Sequence, residues 1–207
     1  MSTSAIIPNS GPNTDTNTNT NSRYATNGPA MLYRAEIRLP DRLMTIAATE
    51  AGLCFVSLTA ESGQELLAWA EKRLPSAVIV YDENRMSEYV RQIEAYFAGT
   101  LTIFKLPLDM VGTPFQQAIW RAVAAIPYGE VRTYAAIAAA AGSPKAVRAV
   151  GAANGANPIP IIVPCHRVIG SSGTLTGYRG GMALKKQLLH HEGFRDFTDS
   201  GHARFRF

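Results

Sequence analysis

The sequence predicts an α+β protein, in which a small N-terminal α/β domain with an antiparallel sheet precedes a mostly helical C-terminal domain with a helix-turn-helix. Short stretches of alternating apolar and polar residues fill residues 31–110, as half-buried strands require. Capped amphipathic segments separated by Gly and Pro follow instead from residue 111. With 207 residues, 46% of them hydrophobic and 17% charged, the chain has enough apolar material for both cores.

Composition divides the chain into four segments. Residues 1–30 are rich in Asn, Thr, Ser, Gly and Pro, so we expect a disordered leader. Domains are predicted over residues 31–110 and 111–195, and residues 196–207, which lack periodicity, are predicted to be a tail. No signal peptide and no apolar run of membrane-spanning length is recognisable, and Cys54 and Cys165 form no disulfide framework. We therefore expect a cytoplasmic protein without a membrane partner.

The N-terminal domain shows a regular succession of predicted elements. A turn over residues 50–52 is predicted to join the second and third strands. The alternation and the turn signals predict helices over residues 63–73 and 86–97 and strands over residues 33–39, 43–48, 53–58, 77–81 and 102–106. Cys54 falls within an apolar strand, so we interpret it as a buried, inert thiol.

The C-terminal domain begins with a helix start signal. Thr113 stands at an N-cap, Pro114 at the first helical position and Gln116 at the capping-box position. An apolar stripe then continues to Ile126, and we assign Trp120 within it to packing.

Two short helices follow in the layout of a helix-turn-helix. Thr133 can cap the first helix, which ends at Gly142, and Ser143-Pro144 is predicted to start the second, which runs to Gly155. One face of the second helix carries Val147, Val150, Gly151 and Asn154, and the other carries Lys145, Arg148, Ala149 and Ala152.

The charge distribution favours an anionic partner for the C-terminal domain. Residues 31–110 carry a net charge of −3, whereas residues 111–195 carry +7. Small alanines around Arg148 would permit close approach to a DNA groove but offer few hydrogen bonds to base edges. The sequence therefore suggests weak sequence readout with Arg148 as a wedge. An alanine-rich packing helix is the alternative that the residues leave open.

A thiol, an imidazole and a guanidinium follow one another in Pro164-Cys165-His166-Arg167. The preceding apolar residues 161–163 are typical of a buried strand. Such polar groups need partners when buried, so we interpret Cys165 as a reactive nucleophile. An ordinary thiol is mostly protonated at neutral pH and needs a base. His166 is the nearest candidate, through a bridging water, and Glu192 is an acid that the fold could bring behind the imidazole.

The sequence after Cys165 contains a glycine-rich loop and a final helix over residues 182–191. The C-terminal domain resembles the O6-alkylguanine-DNA alkyltransferase family in three stretches: Asn157 to Ile169, Gly177-Tyr178 and Leu188 to Gly193. The resemblance covers roughly residues 112–194 and extends more loosely from residue 32. It implies direct-reversal DNA repair, in which O6-alkylguanine, or O4-alkylthymine, is flipped out of duplex DNA and gives its alkyl group irreversibly to the protein.

The resemblance implies catalytic roles for five residues. Cys165 would accept the alkyl group once per molecule, His166 would deprotonate it through a water, and Glu192 would orient His166. Asn157 would brace the active-site loops. Tyr134 would assist rotation of the nucleotide and donate a proton to guanine N3.

Five further positions are implied to contact the lesion or the DNA. Arg148 would fill the space that the flipped base leaves, and the partner would be alkylated double-stranded DNA contacted from the minor groove. Val163 and Val168 would bind guanine through backbone groups. Pro160 would wall the alkyl pocket and Tyr178 would close it. We expect a monomer in solution that can assemble cooperatively on DNA.

No cofactor and no metal are expected. Residues 31–110 contain one cysteine and no histidine, so a structural zinc site there is implausible. The main alternative is a non-catalytic protein that binds alkylguanine lesions, although such relatives lack the acceptor thiol. A cysteine hydrolase and a sequence-specific helix-turn-helix regulator are further alternatives, which would show turnover and independence from Cys165, respectively.

Overall fold

The computed structural model describes residues 29–59 and 61–198. Almost all of the predicted leader and residues 199–207 of the predicted tail lie outside the described residues. Within the predicted tail, Phe197 stacks on the Phe194 and His190 rings, and Thr198 forms a single β-bridge with Thr174.

The N-terminal unit, residues 31–110, is a four-stranded sheet with two helices. Strands β1 to β3 form an antiparallel meander, and β4 pairs parallel to β1, so the sheet is mixed, in the order β3-β2-β1-β4. The parallel pairing arises because helix α1 carries the chain back between β3 and β4. The elements are β1 (Met31–Leu39), β2 (Arg42–Thr49), β3 (Gly52–Val56), α1 (Ser62–Arg73), β4 (Val78–Tyr81) and α2 (Glu83–Phe97).

The predicted strand over residues 102–106 is wrong. Its backbone is bonded to a side chain instead of a neighbouring strand: Lys105 N–H donates to Gln92 Oε1, and Gln92 Nε2 donates to the Lys105 carbonyl. Beyond this stretch, Leu108 forms an isolated bridge with Leu53 of β3. A local alternation pattern cannot reveal that a buried glutamine on α2 provides these hydrogen bonds.

The C-terminal unit, from residue 111 onwards, contains four helices, a short two-stranded parallel pair and the turn that bears Cys165. Thr113 and Gln116 form the predicted capping box, and Trp120 is buried with its Nε1 donating to the Ala153 carbonyl at 2.8 Å. The elements are α3 (Pro114–Ala124), β5 (Arg132–Thr133), α4 (Tyr134–Ala140), α5 (Val147–Gly155), β6 (Val168–Ile169) and α6 (Gly181–His191).

The second helix of the helix-turn-helix starts later than Ser143-Pro144 predicts. Ser143 accepts a hydrogen bond from Ala146 N–H, so Ser143 and Pro144 open a β-turn, with proline at its second position. Helix α5 begins only at Val147. Lys145 therefore lies in the turn before α5 and not on a face of the helix.

The predicted strand over residues 161–163 is also wrong, although its burial is confirmed. Ile161 has a φ of 75°, which side chains with a branched Cβ rarely adopt, and the chain turns back so that Pro160 and Val163 pair. Residues Cys165–Arg167 then form one 3₁₀ turn. A tight reversal of this kind brings successive side chains into one small volume.

The hydrophobic core is continuous across the two units. Met44 on β2 and Tyr96 on α2 belong to the same buried cluster as Val150 on α5 and Leu188 on α6. In the described part of the chain, no helix is long and apolar enough to cross a membrane, and no three His, Cys, Asp or Glu side chains cluster as metal ligands.

Candidate active site

Cys165 lies at the start of the 3₁₀ turn, with only 5% of its surface exposed. Its N–H donates to the Val163 carbonyl at 2.8 Å, and its carbonyl accepts from Asn154 Nδ2 at 3.3 Å. The loop before it is braced by Asn157, whose Nδ2 donates to the Val163 carbonyl and whose Oδ1 accepts from Ile159 N–H. The thiol therefore sits on a loop that is held from both sides.

Behind the thiol, Glu192 is the centre of a buried hydrogen-bond network. Its Oε1 lies 2.8 Å from His166 Nε2, and Arg167 donates to both carboxylate oxygens, at 2.7 and 2.9 Å. Tyr96 donates its hydroxyl to Oε1 at 2.7 Å. Arg167 also donates to the Ile126 carbonyl, so it joins the segment after α3 to the Glu192 carboxylate at the end of α6.

The charges in this network leave His166 able to act as a base. Burial acts to raise the pKa of the Glu192 carboxyl, but the hydrogen bonds from His166 and Arg167 outweigh it, and the pKa lies well below its usual range. Burial lowers the pKa of the His166 imidazole despite the nearby carboxylate, which favours the neutral ring at pH 7. Because a carboxylate only accepts, His166 carries its proton on Nε2.

The other nitrogen of His166 is therefore the basic one. Nδ1 is buried and has no hydrogen-bond partner among the described residues, so no direct bond to the Cys165 sulfur is present there. This geometry suits the predicted proton transfer through a bridging water.

The resting thiol is expected to be protonated. Burial raises the pKa of Cys165, and the Asn157 amide, the cations of Arg179 and Lys185 and the Tyr178 hydroxyl oppose that effect without cancelling it. A raised pKa means that Cys165 needs a base to become a thiolate.

Two tyrosines flank the thiol from elements on either side of it. Tyr134 is the first residue of α4, and its hydroxyl accepts a hydrogen bond from Thr176 Oγ1 at 3.0 Å. The Tyr134 hydroxyl thus keeps its own proton for another acceptor. The Tyr178 hydroxyl is buried beside Cys165, and burial holds the pKa of Tyr178 well above its usual value.

Lys185 is fully buried on α6, which is rare for lysine. Its Nζ donates to the Val168 carbonyl at 2.7 Å and to the Thr176 carbonyl at 3.2 Å, and it thereby joins the strand after Cys165 to the loop that carries Tyr178. Burial lowers the pKa of Lys185 to about 8, with the Cys165 thiolate acting in the opposite direction.

Replacing Lys185 with Met is expected to remove a pH-dependent part of the stability. An unfolded lysine has a pKa of about 10.4, so the buried ammonium costs the wild type stability below pH 8, and this cost is relieved as the pH rises towards 10.4. The unfolding free energy of the wild type should therefore gain about 2 kcal/mol relative to Lys185→Met between pH 7 and pH 10. Urea unfolding at both pH values measures it, and a pH-independent difference would contradict the shifted pKa.

The DNA-facing residues predicted on the helix-turn-helix are exposed. Arg148, Ala149 and Ala152 lie on the outer face of α5, and Lys145 is exposed in the turn before it. On the opposite face, Val150, Gly151 and Asn154 are buried as predicted, whereas Val147 is 39% exposed. Val147 is the first residue of α5.

The structure brings Cys165, His166, Asn157 and Glu192 together, with Pro160, Val163, Val168 and Tyr178 buried around them. Sequence reasoning missed Tyr96, which reaches Glu192 from the N-terminal unit, where no catalytic group was expected. It also assigned no role to Arg167 or Lys185. The only signal for Arg167 was its place beside the Cys-His pair.

A buried thiol next to a histidine–carboxylate pair and an exposed helix-turn-helix indicates a DNA-binding protein with a nucleophilic cysteine. Family models described as "6-O-methylguanine DNA methyltransferase, DNA binding domain" and "6-O-methylguanine DNA methyltransferase, ribonuclease-like domain" match residues 114–194 and 32–110. The chain belongs to the O6-alkylguanine-DNA alkyltransferase family, and it is an enzyme of the methylated-DNA–protein-cysteine methyltransferase class. The family, fold class and activity expected from the sequence are confirmed, and the non-catalytic alternative is not favoured.

Named relatives agree with this assignment. The inducible methylated-DNA–protein-cysteine methyltransferase of Bacillus subtilis is 46% identical over 167 residues, which are 81% of this chain and 93% of that protein. The corresponding Mycobacterium bovis protein is 58% identical over 118 residues, 57% of this chain and 72% of that protein. A crystal structure of Mycobacterium tuberculosis OGT in complex with DNA is 44% identical, with a TM-score of 0.66, and the match covers 78% of this chain and 92% of that chain.

Proposed function

We propose that Cys165 is the acceptor that takes the alkyl group from O6 of guanine in duplex DNA and is consumed by the reaction. The observation that carries this proposal is the buried chain of contacts from the Cys165 turn through His166 to Glu192. The same chemistry applies to O4-alkylthymine, which presents an alkylated oxygen of the same kind.

His166 takes the thiol proton on Nδ1 through a water, and Glu192 stabilises the imidazolium that forms. The sulfur–carbon bond then forms as the carbon–O6 bond breaks, and guanine leaves with the electron pair of that bond. The Tyr134 hydroxyl, which accepts from Thr176 Oγ1, donates its proton to guanine N3, and the imidazolium proton restores the tyrosine. The thioether is a poor leaving group, so each molecule reacts once.

Buried residues around the Cys165 thiol form the walls of the alkyl pocket. Pro160 lines the alkyl group, Tyr178 closes the pocket, and Val168 offers its carbonyl, which already accepts from Lys185 Nζ, to the flipped base. The Val163 N–H donates to Ile159, and its carbonyl accepts from Asn157 and Cys165, so Val163 acts by holding the loop in shape.

DNA binds from the minor-groove side along the outer face of α5 and the turn before it. Ala149 and Ala152 of α5 and Lys145 of the turn lie at the DNA backbone, and Arg148 fills the space left by the flipped base. The protein acts as a monomer that can assemble cooperatively along DNA.

We place the protein in the cytoplasm, because it must meet DNA and keep a reduced thiol. The domains span residues 31–110 and 111–195, between a leader over 1–30 and a tail over 196–207.

The direct test is the mass of the protein after exposure to one equivalent of duplex DNA carrying O6-methylguanine. The peptide that contains Cys165 should gain about 14 Da, and the reaction should stop at one methyl group per chain. Stoichiometric DNA binding without any mass gain, or turnover beyond one equivalent, would overturn the proposal.

Arg148→Ala is expected to slow methyl transfer from duplex DNA about tenfold, because nothing then offsets part of the cost of flipping the nucleotide. Reaction with free O6-benzylguanine, which needs no flipping, should stay within about twofold of the wild type. Single-turnover rates with both substrates measure the two effects. Arg91→Ala is the matched control, since it removes an exposed arginine on α2. An equal loss with both substrates would show that Arg148 is not a flipping residue.

A further inference from the structure

Arg179 follows the pocket residue Tyr178, yet its side chain is only 27% exposed and is directed across the pocket loops. Its Nη1 donates to Glu65 Oε1 at 2.6 Å, and its Nη2 donates to the Asn157 carbonyl at 3.3 Å. A guanidinium carries its donors in a rigid, planar fork, so one arginine fixes the relative positions of both acceptors.

Glu65 gives Arg179 an anchor in the N-terminal unit. It lies in the first turn of α1, and its second oxygen, Oε2, accepts from Leu58 N–H at 3.1 Å and from Thr59 Oγ1 at 3.2 Å. The carboxylate is therefore oriented by its own unit, and Arg179 binds to an acceptor that is already in place.

The Asn157 carbonyl belongs to the other loop beside Cys165. The side chain of Asn157 holds the segment that contains Pro160 and Val163, through Ile159 N–H and the Val163 carbonyl. Arg179 thus joins the loop that bears Tyr178 to the loop that bears Pro160, and it joins both of them to α1.

A second observation places the same loop tightly against the N-terminal unit. A Cβ on Gly180, the residue after Arg179, would lie 2.8 Å from Leu184 Cδ2 and 3.1 Å from both Leu58 Cδ1 and Tyr178 Cε1. The loop is therefore packed between the end of β3 and α6 at the point where Glu65 binds Leu58 N–H.

We propose that Arg179, held by Glu65, sets the separation of the two loops that wall the alkyl pocket and thereby selects small over large O6 adducts. This proposal rests on the assignment of Pro160 and Tyr178 as the pocket walls. Arg179 is a positioning residue in this role, and the N-terminal unit takes part in substrate selection through Glu65.

The physical reason is that a large adduct needs the two walls to move apart. Separation of the loops stretches the bond between Arg179 Nη2 and the Asn157 carbonyl, while Nη1 remains bound to Glu65. Loss of a hydrogen bond from a charged donor costs more free energy when the donor is partly buried. A methyl group fits without that loss, whereas a benzyl group incurs it.

The experiment compares single-turnover transfer from one duplex that carries O6-methylguanine or O6-benzylguanine, at saturating DNA. Arg179→Ala is expected to raise the benzyl-to-methyl rate ratio about fivefold or more, since one charge-assisted bond no longer resists widening. Glu65→Gln should shift the ratio in the same direction by a smaller factor, and the double variant should not exceed Arg179→Ala. Arg42→Ala is the matched control, because it breaks a different contact between the units, to Gln187, and should leave the ratio unchanged.

If Arg179→Ala lowers the methyl and benzyl transfer rates by the same factor, the proposal is overturned. Loss of a residue with only a structural role would lower both rates alike. An unchanged ratio in Glu65→Gln beside a raised ratio in Arg179→Ala would also overturn it, since α1 would then take no part. Absence of any mass gain on Cys165 in the wild type with the methylated duplex is a different failure, that of the proposed function.

Discussion

Cys165→Ser is expected to abolish alkyl transfer while duplex DNA affinity stays within about twofold of the wild type. A serine hydroxyl is far less acidic than a thiol, so His166 cannot turn it into an effective nucleophile at neutral pH. The face of α5 that is proposed to bind DNA is a separate exposed surface and is untouched by the substitution. Transfer is measured by intact mass after incubation with O6-methylguanine DNA, and affinity by titration of a labelled duplex.

Cys54→Ala is the matched control for this variant. Cys54 is the other cysteine of the chain and lies buried in β3, where its thiol donates to the Ala47 carbonyl and burial raises its pKa well above the usual value. Such a thiol is inert, so Cys54→Ala should still take up one methyl group per chain. If methyl transfer survives in Cys165→Ser but disappears in Cys54→Ala, then Cys54 and not Cys165 is the acceptor of the alkyl group.

Glu192→Gln is expected to lower the transfer rate about 100-fold and the free energy of unfolding by about 3 kcal/mol. The rate falls because the imidazolium of His166 loses the carboxylate that stabilises it. The stability falls because Arg167 keeps its buried charge without the carboxylate that neutralises it. Single-turnover kinetics and urea unfolding measure the two effects. Glu130→Gln, which disturbs only an exposed ion pair with Arg132, serves as control and should change neither.

The stability of Glu192→Gln at low pH provides a second test of the same carboxylate. The folded pKa of Glu192 lies below the unfolded value of about 4.3, so its contribution is fully present above that value and is lost as the pH falls towards the folded pKa. The stability difference between wild type and Glu192→Gln should therefore shrink below about pH 4.3.

A transfer rate of Glu192→Gln within about threefold of the wild-type rate would contradict the role of Glu192 in catalysis.

Local signals predicted most elements of the fold. The capping box at Thr113 and the cap at Thr133 placed α3 and α4, because these side chains bond to backbone only a few residues away. The failures lie where distant groups provide the hydrogen bonds. The stretch 102–106 is bonded by Gln92 of α2, and the turn at Ile161 is held by Asn157.

The parallel position of β4 beside β1 was not predicted for a similar reason. Alternation specifies which side chains are buried but not which strand is the neighbour, and the pairing of Met31 with Val78 depends on how α1 packs. The late start of α5 is a milder failure, since Ser-Pro opens both helices and β-turns.

By itself, the sequence determined the family, because the stretches around Cys165 resemble it, and it predicted Cys165 as the nucleophile and His166 as its base. Only the tertiary structure decided which groups surround these two residues. It brings Arg167 and Tyr96 to the buried carboxylate of Glu192, and Glu65 to Arg179, by contacts that join residues up to 114 positions apart. Such contacts depend on how helices and loops pack, and no local pattern in the chain encodes them.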